Sequence, residues 1–334
     1  MLNLKLKEIS ISLIIAFAIL ILMEGGSRLA YTPTHLDKIM AILEESNSNF
    51  WKVRGNLDLM FFGANIKTNS HGFRVTPGEE NWATSKVRLA VLGASPSFGW
   101  GVENDQTYSS TIFRQSDKKI SVKNFSQVGY SSFQGPYVLD IALRAKPTHV
   151  LLTYVINDLD YYRFFYSQNI PDKEVVTSSN LTTVIREFIR KLTLPKLLLS
   201  KLSTSQKGSK YIERETRVSI SDYISNISRM VNITKKAGIT PILVKFPVNI
   251  PTLKSSRNNT KEIQSNKIRK RSYLYNQKLE KYAKENNISL IDFTKVVNQS
   301  KKYLFLDPNG DTIHPNTLGH SLFANEVLEY FRKI

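Results

Sequence analysis

The sequence predicts an α/β domain built on a parallel sheet, preceded by one apolar N-terminal helix. Three observations support this. Five apolar, β-branched runs, "VRLAVLG", "ISVKNF", "THVLLTYVI", "TPILVKF" and "ISLIDF", follow one another from residue 87 onward. Amphipathic patterns such as "QGPYVLDIALRAK", "ISDYISNISRMVNITKKAG" and "SYLYNQKLEKYAKENN" separate most of them. Strands alternating with such helices form parallel βαβ units, and short, uniformly apolar strands are those covered on both faces. Several helical patterns also stop at Gly or Asn ahead of the next run, as in "KKAGITPILV" and "KENNISLIDF".

The N-terminal element reads first. After Lys5 and Lys7, residues 9–23 carry no charge until Glu24. That run is long for a signal-peptide core and slightly short for a full span, and Leu2, Leu4 and Leu6 extend it while the lysines snorkel. "GGSRLA" puts Arg28 where a cleavage site wants a small residue, so residues 1–30 read as an uncleaved anchor. The two lysines and the terminal amine place the N-terminus inside and the rest of the chain outside, a periplasmic or cell-surface domain.

Residues 31–85 read as a connecting segment with some helix around "LDKIMAILEE" and a strand entering a turn in "IKTNSHGFRV". The sheet domain occupies residues 86–334. Its alternation is interrupted at 159–215 by an insertion that holds the helical pattern "LTTVIREFIRKLTLPKLLLSKL" and a polar connector. Insertions of this size often cover a site at the strand ends.

With 334 residues the chain is long enough for one large domain with an insertion. A mean hydropathy of −0.24 excludes a multi-span membrane protein. The absence of cysteine excludes disulfides, thiolate metal sites and cysteine nucleophiles. A net charge of +18 favours an anionic neighbour: lipid headgroups, an acidic polysaccharide or nucleic acid. The basic run "NKIRKRSYLYNQKLEK" carries Ile268, Tyr275, Leu279 and Tyr282 at helical spacing, so it reads as an amphipathic helix with a solvated basic face, and no nucleic-acid partner is expected.

The stretch "GASPSFGWG" ends the first run in a small, tight turn that offers Ser95 and Ser97. Open α/β sheets bind ligands at the carboxyl ends of their strands. A serine nucleophile needs a base, and the base needs a group that holds its tautomer. Of the five histidines, His149 lies in a strand-like run and His320 in the last helix, both read as packed. His35 and His71 precede the sheet in turn-like settings. His314 differs: in "DTIHPN" it follows Asp311 by three residues and is kept out of the next helix by Pro315. Asp311 would accept from one ring nitrogen and leave the other as the base; the alternative is that Asp311 and Asn316 only shape a turn and a cap. Two further strand ends offer oxyanion donors, the backbone N–H of Gly129 in "NFSQVGYSS" and the side-chain amide of Asn157 in "VINDL". Singly, these are also a turn glycine and an Asx cap.

Taken in order, "GASPSFGWG", "NFSQVGYSS", "VINDL" and "DTIHPN" resemble the motifs of the SGNH (GDSL-type) hydrolase superfamily over about residues 86–334. The resemblance implies a three-layer α/β/α sandwich around a five-stranded parallel sheet. It implies Ser95 as nucleophile, His314 as base and Asp311 as the orienting acid, with Ser95 N–H, Gly129 N–H and Asn157 as oxyanion donors. No metal or organic cofactor is implied. Ala94 stands where the family has Asp, and Val155 where it has Gly; the first removes a polar support from the nucleophile turn. The anchor and "NSHGFR" also resemble membrane-anchored bacterial envelope members. The implied activity is ester hydrolysis on an O-acylated envelope glycan or lipid. An O-acyltransferase using the same atoms and a non-catalytic scaffold on the same fold are the alternatives. The aromatics Tyr161, Tyr162, Phe164, Phe165 and Tyr166 predict an extended, partly aromatic groove, or else packing of the insertion.

Overall fold

The computed structural model describes residues 2–46, 48–159, 163–166, 170–177, 180–203, 216–247, 259–308 and 311–333. The chain divides into two compact units: Met1–Asn47 with Thr177–Ile212, and Ser48–Val176 with Glu213–Ile334.

The larger unit holds a five-stranded parallel sheet. Its strands are β1 (Val87–Leu92), β2 (Ile120–Asn124), β3 (His149–Leu152), β4 (Thr240–Lys245) and β5 (Ser289–Asp292), in the order β2-β1-β3-β4-β5. They coincide with the five apolar runs. Leu89–Leu92 is buried throughout, as are Val150, Leu151, Leu152, Ile242, Leu243 and Val244, because helices cover both faces. Helices Gly135–Arg144, Ile220–Lys236 and Asn259–Glu285 pack together in one layer; Tyr108–Gln115, Phe293–Gln299 and Thr317–Arg332 pack in the other. The result is the α/β/α sandwich. Asn287, at φ +51°, ends the long helix ahead of β5 in the left-handed conformation that Asn tolerates. Within that helix Tyr275 and Leu279 are buried against the unit, Lys270, Lys278, Lys281 and Lys284 are exposed, and Arg271 turns in to donate to Leu159 C=O at 3.2 Å.

The order of strands reverses direction between β1 and β3. Loops leaving such a switch point diverge and open a crevice at the carboxyl ends. Ser95, Gly129 and Asn157 follow β1, β2 and β3 in turn.

The connection before the sheet is more ordered than its composition suggests. Phe50–Val53 is extended, and Asp58–Phe61 pairs antiparallel with Ala64–Lys67 as a hairpin. Its two-residue turn places Phe62 at φ +48°, where hairpins ordinarily use Asn or Gly. That atypical residue is why no hairpin is visible in the sequence.

The smaller unit contains helices Leu2–Ala30, His35–Ala41, Asn180–Lys191 and Thr193–Ser203, and the strand Leu43–Ser46. Glu8–Ala30 is long and apolar enough to cross a membrane by length and composition. The helix expected over "LDKIMAILEE" ends at Ala41, and the two glutamates fall in the following strand. The insertion pattern "LTTVIREFIRKLTLPKLLLSKL" forms two helices that part at Leu192.

Candidate active site

Ser95 opens a one-turn helix, Ser95–Phe98, directly after β1. Its hydroxyl lies 2.8 Å from His314 Nε2, and His314 Nδ1 lies 2.7 Å from Asp311 Oδ2. The three side chains thus form one continuous hydrogen-bonded line. Ser97 takes a different course. Buried in the core, its hydroxyl shares a 2.6 Å hydrogen bond with Thr153. A hydroxyl on an imidazole whose far nitrogen meets a carboxylate is the arrangement that raises an alcohol to a nucleophile.

The Asp–His loop is clamped rather than free. Leu306 N–H donates to His314 C=O at 2.9 Å, and Asp307 N–H to Asp311 C=O at 2.9 Å. Asn316 caps the last helix by accepting from Gly319 N–H, while its amide donates to the carbonyls of Tyr303 and Phe305. Capping is therefore real, as one reading of "DTIHPN" has it, and the same cap fixes the loop that carries His314. Pro315 pairs with Phe305 before the cap instead of sitting in the first helical turn. Gly101 lets the two loops meet: a Cβ there would fall 2.4 Å from Leu306 Cδ1.

Burial pushes the Asp311 carboxyl up. The hydrogen bond and charge of His314, with the N–H groups of His314 and Ile313, outweigh this and hold it below its ordinary value. It stays ionised and can stabilise a cationic imidazole. The Trp100 ring stacks on the His314 ring, centroids 4.9 Å apart at 12°, and Phe62 stacks on Trp100 at 5.0 Å. The hairpin missed in the sequence thus backs the histidine through one tryptophan.

Gly129 sits at φ +77°, and a Cβ there would lie 2.3 Å from Phe164 Cε2. Only glycine fits. Among the described residues, no protein acceptor takes the backbone N–H of Ser95 or Gly129. The Asn157 amide donates one hydrogen to Tyr130 C=O at 2.9 Å, and its second N–H is left over. These are three donors near the ends of β1, β2 and β3.

The two departures from the family pattern have local accounts. Val155 lies at φ −179°, extended backbone that any residue adopts, so glycine is not needed there. Ala94 precedes the nucleophile helix without a side-chain cap, but other groups hold the turn. Buried Arg74, from "NSHGFR", donates to Gly99 C=O at 3.0 Å and Val102 C=O at 2.7 Å, and the Asn124 amide donates to Ser97 C=O at 2.7 Å. Burial lowers the Arg74 guanidinium to about 10.

A second group of buried charges goes unnoticed in the sequence. Asp172 pairs with Arg163 at 2.6 Å and with Arg217 at 2.9 Å, all three side chains fully enclosed. Burial raises the Asp172 carboxyl, but Arg217, with help from Ser131 and Arg163, holds it below the usual range. Arg217 also donates to Gly129 C=O at 2.8 Å and to Gln134, and its guanidinium lies over the Trp51 ring. The peptide that carries the Gly129 oxygen is thereby held by a residue 88 positions away.

Tyr161 and Tyr162 lie outside the described residues. Phe164, Phe165 and Tyr166 pack on Trp51 and Phe50. The remaining histidines stand elsewhere: His149 is half-buried against Phe331, and His320 is fully buried, accepting from Tyr108 N–H. His35 begins a short helix and His71 lies in a turn.

A model of the GDSL-like lipase/acylhydrolase family matches residues 91–322. Among solved structures, a member of the lipolytic protein G-D-S-L family from Veillonella parvula superposes with a TM-score of 0.47 at 14% identity, covering 74% of this chain and 100% of that one. The psychrotrophic esterase EstA from a Pseudoalteromonas species gives 0.45 at 15% identity, covering 74% and 98%. The lipase/acylhydrolase from Enterococcus faecalis gives 0.46 at 14% identity, covering 74% and 96%. A comparison with curated protein sequences finds no match. The family model spans well over half the chain, from the end of β1 through the Asp–His loop: the chain belongs to the GDSL-like lipase/acylhydrolase family.

Proposed function

We propose that this protein is a serine-dependent ester hydrolase that removes O-acyl groups, O-acetyl foremost, from a cell-envelope glycan or lipid. The observation that carries the reading is the unbroken line Ser95–His314–Asp311, with contacts of 2.8 and 2.7 Å. Ser95 Oγ attacks the ester carbonyl carbon as His314 Nε2 takes its proton. The carbonyl oxygen becomes an oxyanion that accepts from Ser95 N–H, Gly129 N–H and the Asn157 amide. Collapse breaks the bond to the alcohol, which leaves with the proton from Nε2. Water, deprotonated by the same nitrogen, then cleaves the acyl-serine and regenerates the hydroxyl. Asp311 holds the tautomer and faces the imidazolium throughout.

The envelope substrate rests on the apolar segment Glu8–Ala30 preceded by Lys5 and Lys7, which favours a membrane anchor with the larger unit outside. A sugar hydroxyl in place of water would make the same atoms an O-acyltransferase.

Trapping with a fluorophosphonate probe, followed by peptide mapping, tests the site. Ser95→Ala should abolish labelling and hydrolysis of a small acetyl ester, and Ser97→Ala should retain both. Labelling that survives Ser95→Ala removes the assignment. A radiolabelled acyl donor offered with candidate glycans separates the two acceptors: free acid means hydrolase, label on the glycan means transferase.

A further inference from the structure

The helix Asn180–Lys191 is inverted. Leu181, Val184, Ile185, Phe188 and Ile189 recur at the spacing that puts them on one face. In a water-soluble protein such a face turns inward. Here it faces out: Leu181 is 71% exposed and Phe188 64%, with Val184, Ile185 and Ile189 also exposed. The opposite, polar face turns in. Glu45, whose side chain is fully enclosed, receives Arg186 at 3.1 Å and Arg190 at 2.9 Å, and Arg190 also meets Glu187. Rolling the helix over to hide its apolar face would strip both cations from a buried carboxylate, which is strongly unfavourable. The orientation is fixed with the apolar face outward.

The same compact unit contains Glu8–Ala30, whose apolar side chains are exposed from Ile9 to Met23. Glu24 closes that run, and its carboxylate accepts from the N–H groups of Thr193 and Leu194 at 2.8 and 2.9 Å. Lys196 pairs with Asp37 at 3.1 Å. The inverted helix and its successor are therefore tied to the point where the apolar run ends. Residues 180–200 carry Arg186, Arg190, Lys191 and Lys196 against Glu187 as their one acid; Lys191 is exposed, and Arg186 and Arg190 keep 41% and 29% of their side chains open to the surroundings while they hold Glu45.

We propose that Asn180–Lys191 is an interfacial helix whose apolar face lies in the acyl-chain boundary of a lipid bilayer while its cations meet anionic headgroups. Amphipathic helices rich in Lys and Arg bind membrane surfaces in this way. The partner is the bilayer that the adjoining apolar helix enters, so the two apolar surfaces share one medium. The inference shares with the proposed function only the reading of Glu8–Ala30 as a span.

The test uses the full chain, which has no cysteine to remove. Single variants Leu181→Cys, Phe188→Cys, Thr183→Cys and Ile15→Cys are labelled with an environment-sensitive fluorophore. Each is reconstituted into vesicles of phosphatidylethanolamine and phosphatidylglycerol. Nitroxide-bearing lipids should quench the probes at 181 and 188 severalfold more than the probe at 183, on the opposite face, and their emission should shift to the blue. Aqueous iodide should quench the probes at 181 and 188 far less than it quenches the free fluorophore. Iodide quenching 181 and 188 as strongly as the free fluorophore, with no added lipid quenching, overturns the proposal. Shielding from both quenchers also overturns it, since the face would then meet a second copy or another protein. The probe at 15 reports the span alone: lipid quenching at 15 without quenching at 181 and 188 sinks this inference and leaves the anchor standing. Lipid quenching at 181 and 188 without quenching at 15 does the opposite.

Discussion

The two compact units bury charge in opposite company. In the sheet unit the Arg163–Asp172–Arg217 cluster is enclosed together with the large apolar side chains, and water reaches neither. In the smaller unit Glu45 is enclosed and its arginines remain 41% and 29% exposed; Ile39, Ile42 and Leu43 are buried, but the apolar faces of Glu8–Ala30 and Asn180–Lys191 stand outside. The first pattern is that of a protein whose medium is water and whose polar interior positions a site. The second leaves two extended apolar faces uncovered, as the proposed contact with a bilayer requires.

The largest effect should come from cutting the central acid of each cluster. Asp172→Ala leaves two buried arginines without their counter-charge and should cost about 3–5 kcal/mol of stability. Glu45→Ala releases arginines that can already reach solvent and should cost about 1 kcal/mol or less. Denaturant unfolding of the full chain in detergent, followed by fluorescence, checks both; equal losses would erase the distinction between the two kinds of burial.

A smaller effect sharpens the comparison within the sheet unit, where enclosed charge and open donors stand side by side. Asn157→Ala should lower turnover about a hundredfold or more with little change in the unfolding midpoint. Near-wild-type turnover would take Asn157 out of the oxyanion hole.

A separate effect is a tilt with pH. Burial raises the Asp158 carboxyl from 3.8 to about 7, against the hydrogen bonds from Ser132 and the pull of Arg217. Its folded-state pKa lies above its unfolded value, so its contribution to stability is present in acid and is lost as pH rises through about 7. Asp158→Asn removes that titration. The variant's melting temperature should therefore gain on the wild type between about pH 4 and pH 8. A difference that stays flat would mean that Asp158 does not titrate in that range.

Much of the sheet and the neighbourhood of Ser95 was legible because the signals are local. A strand buried on both faces announces itself in six residues, and "DTIHPN" holds an acid, a base and a helix cap within six more. The turn offers two serines of the same type two residues apart; the contact of Ser95 with His314 and of Ser97 with Thr153 separates them only in three dimensions. Arg217 was illegible for a different reason. It lies 45 positions from Asp172 and 88 from Gly129, so no spacing links them, and a buried arginine looks like any surface arginine in a chain of this charge. Trp100 reads as core until His314 is seen against its face. The period of Asn180–Lys191 reveals an apolar face but not which way it turns, because that depends on Glu45, 141 positions earlier.

The ion cluster at Asp172 has a consequence for descent. Arg163 and Asp172 belong to the chain before the Asn180–Lys191 and Thr193–Ser203 helices, and Arg217 to the chain after them. The clasp is made by residues on either side of this excursion in the chain, and none of its three members belongs to it. A lineage can therefore lengthen, trim or exchange the segment between residues 177 and 212 while inheriting the carbonyl contact at Gly129 unchanged. Homologues should keep the acid and its arginines together even where the excursion differs, as a socket outlasts the parts fitted to it.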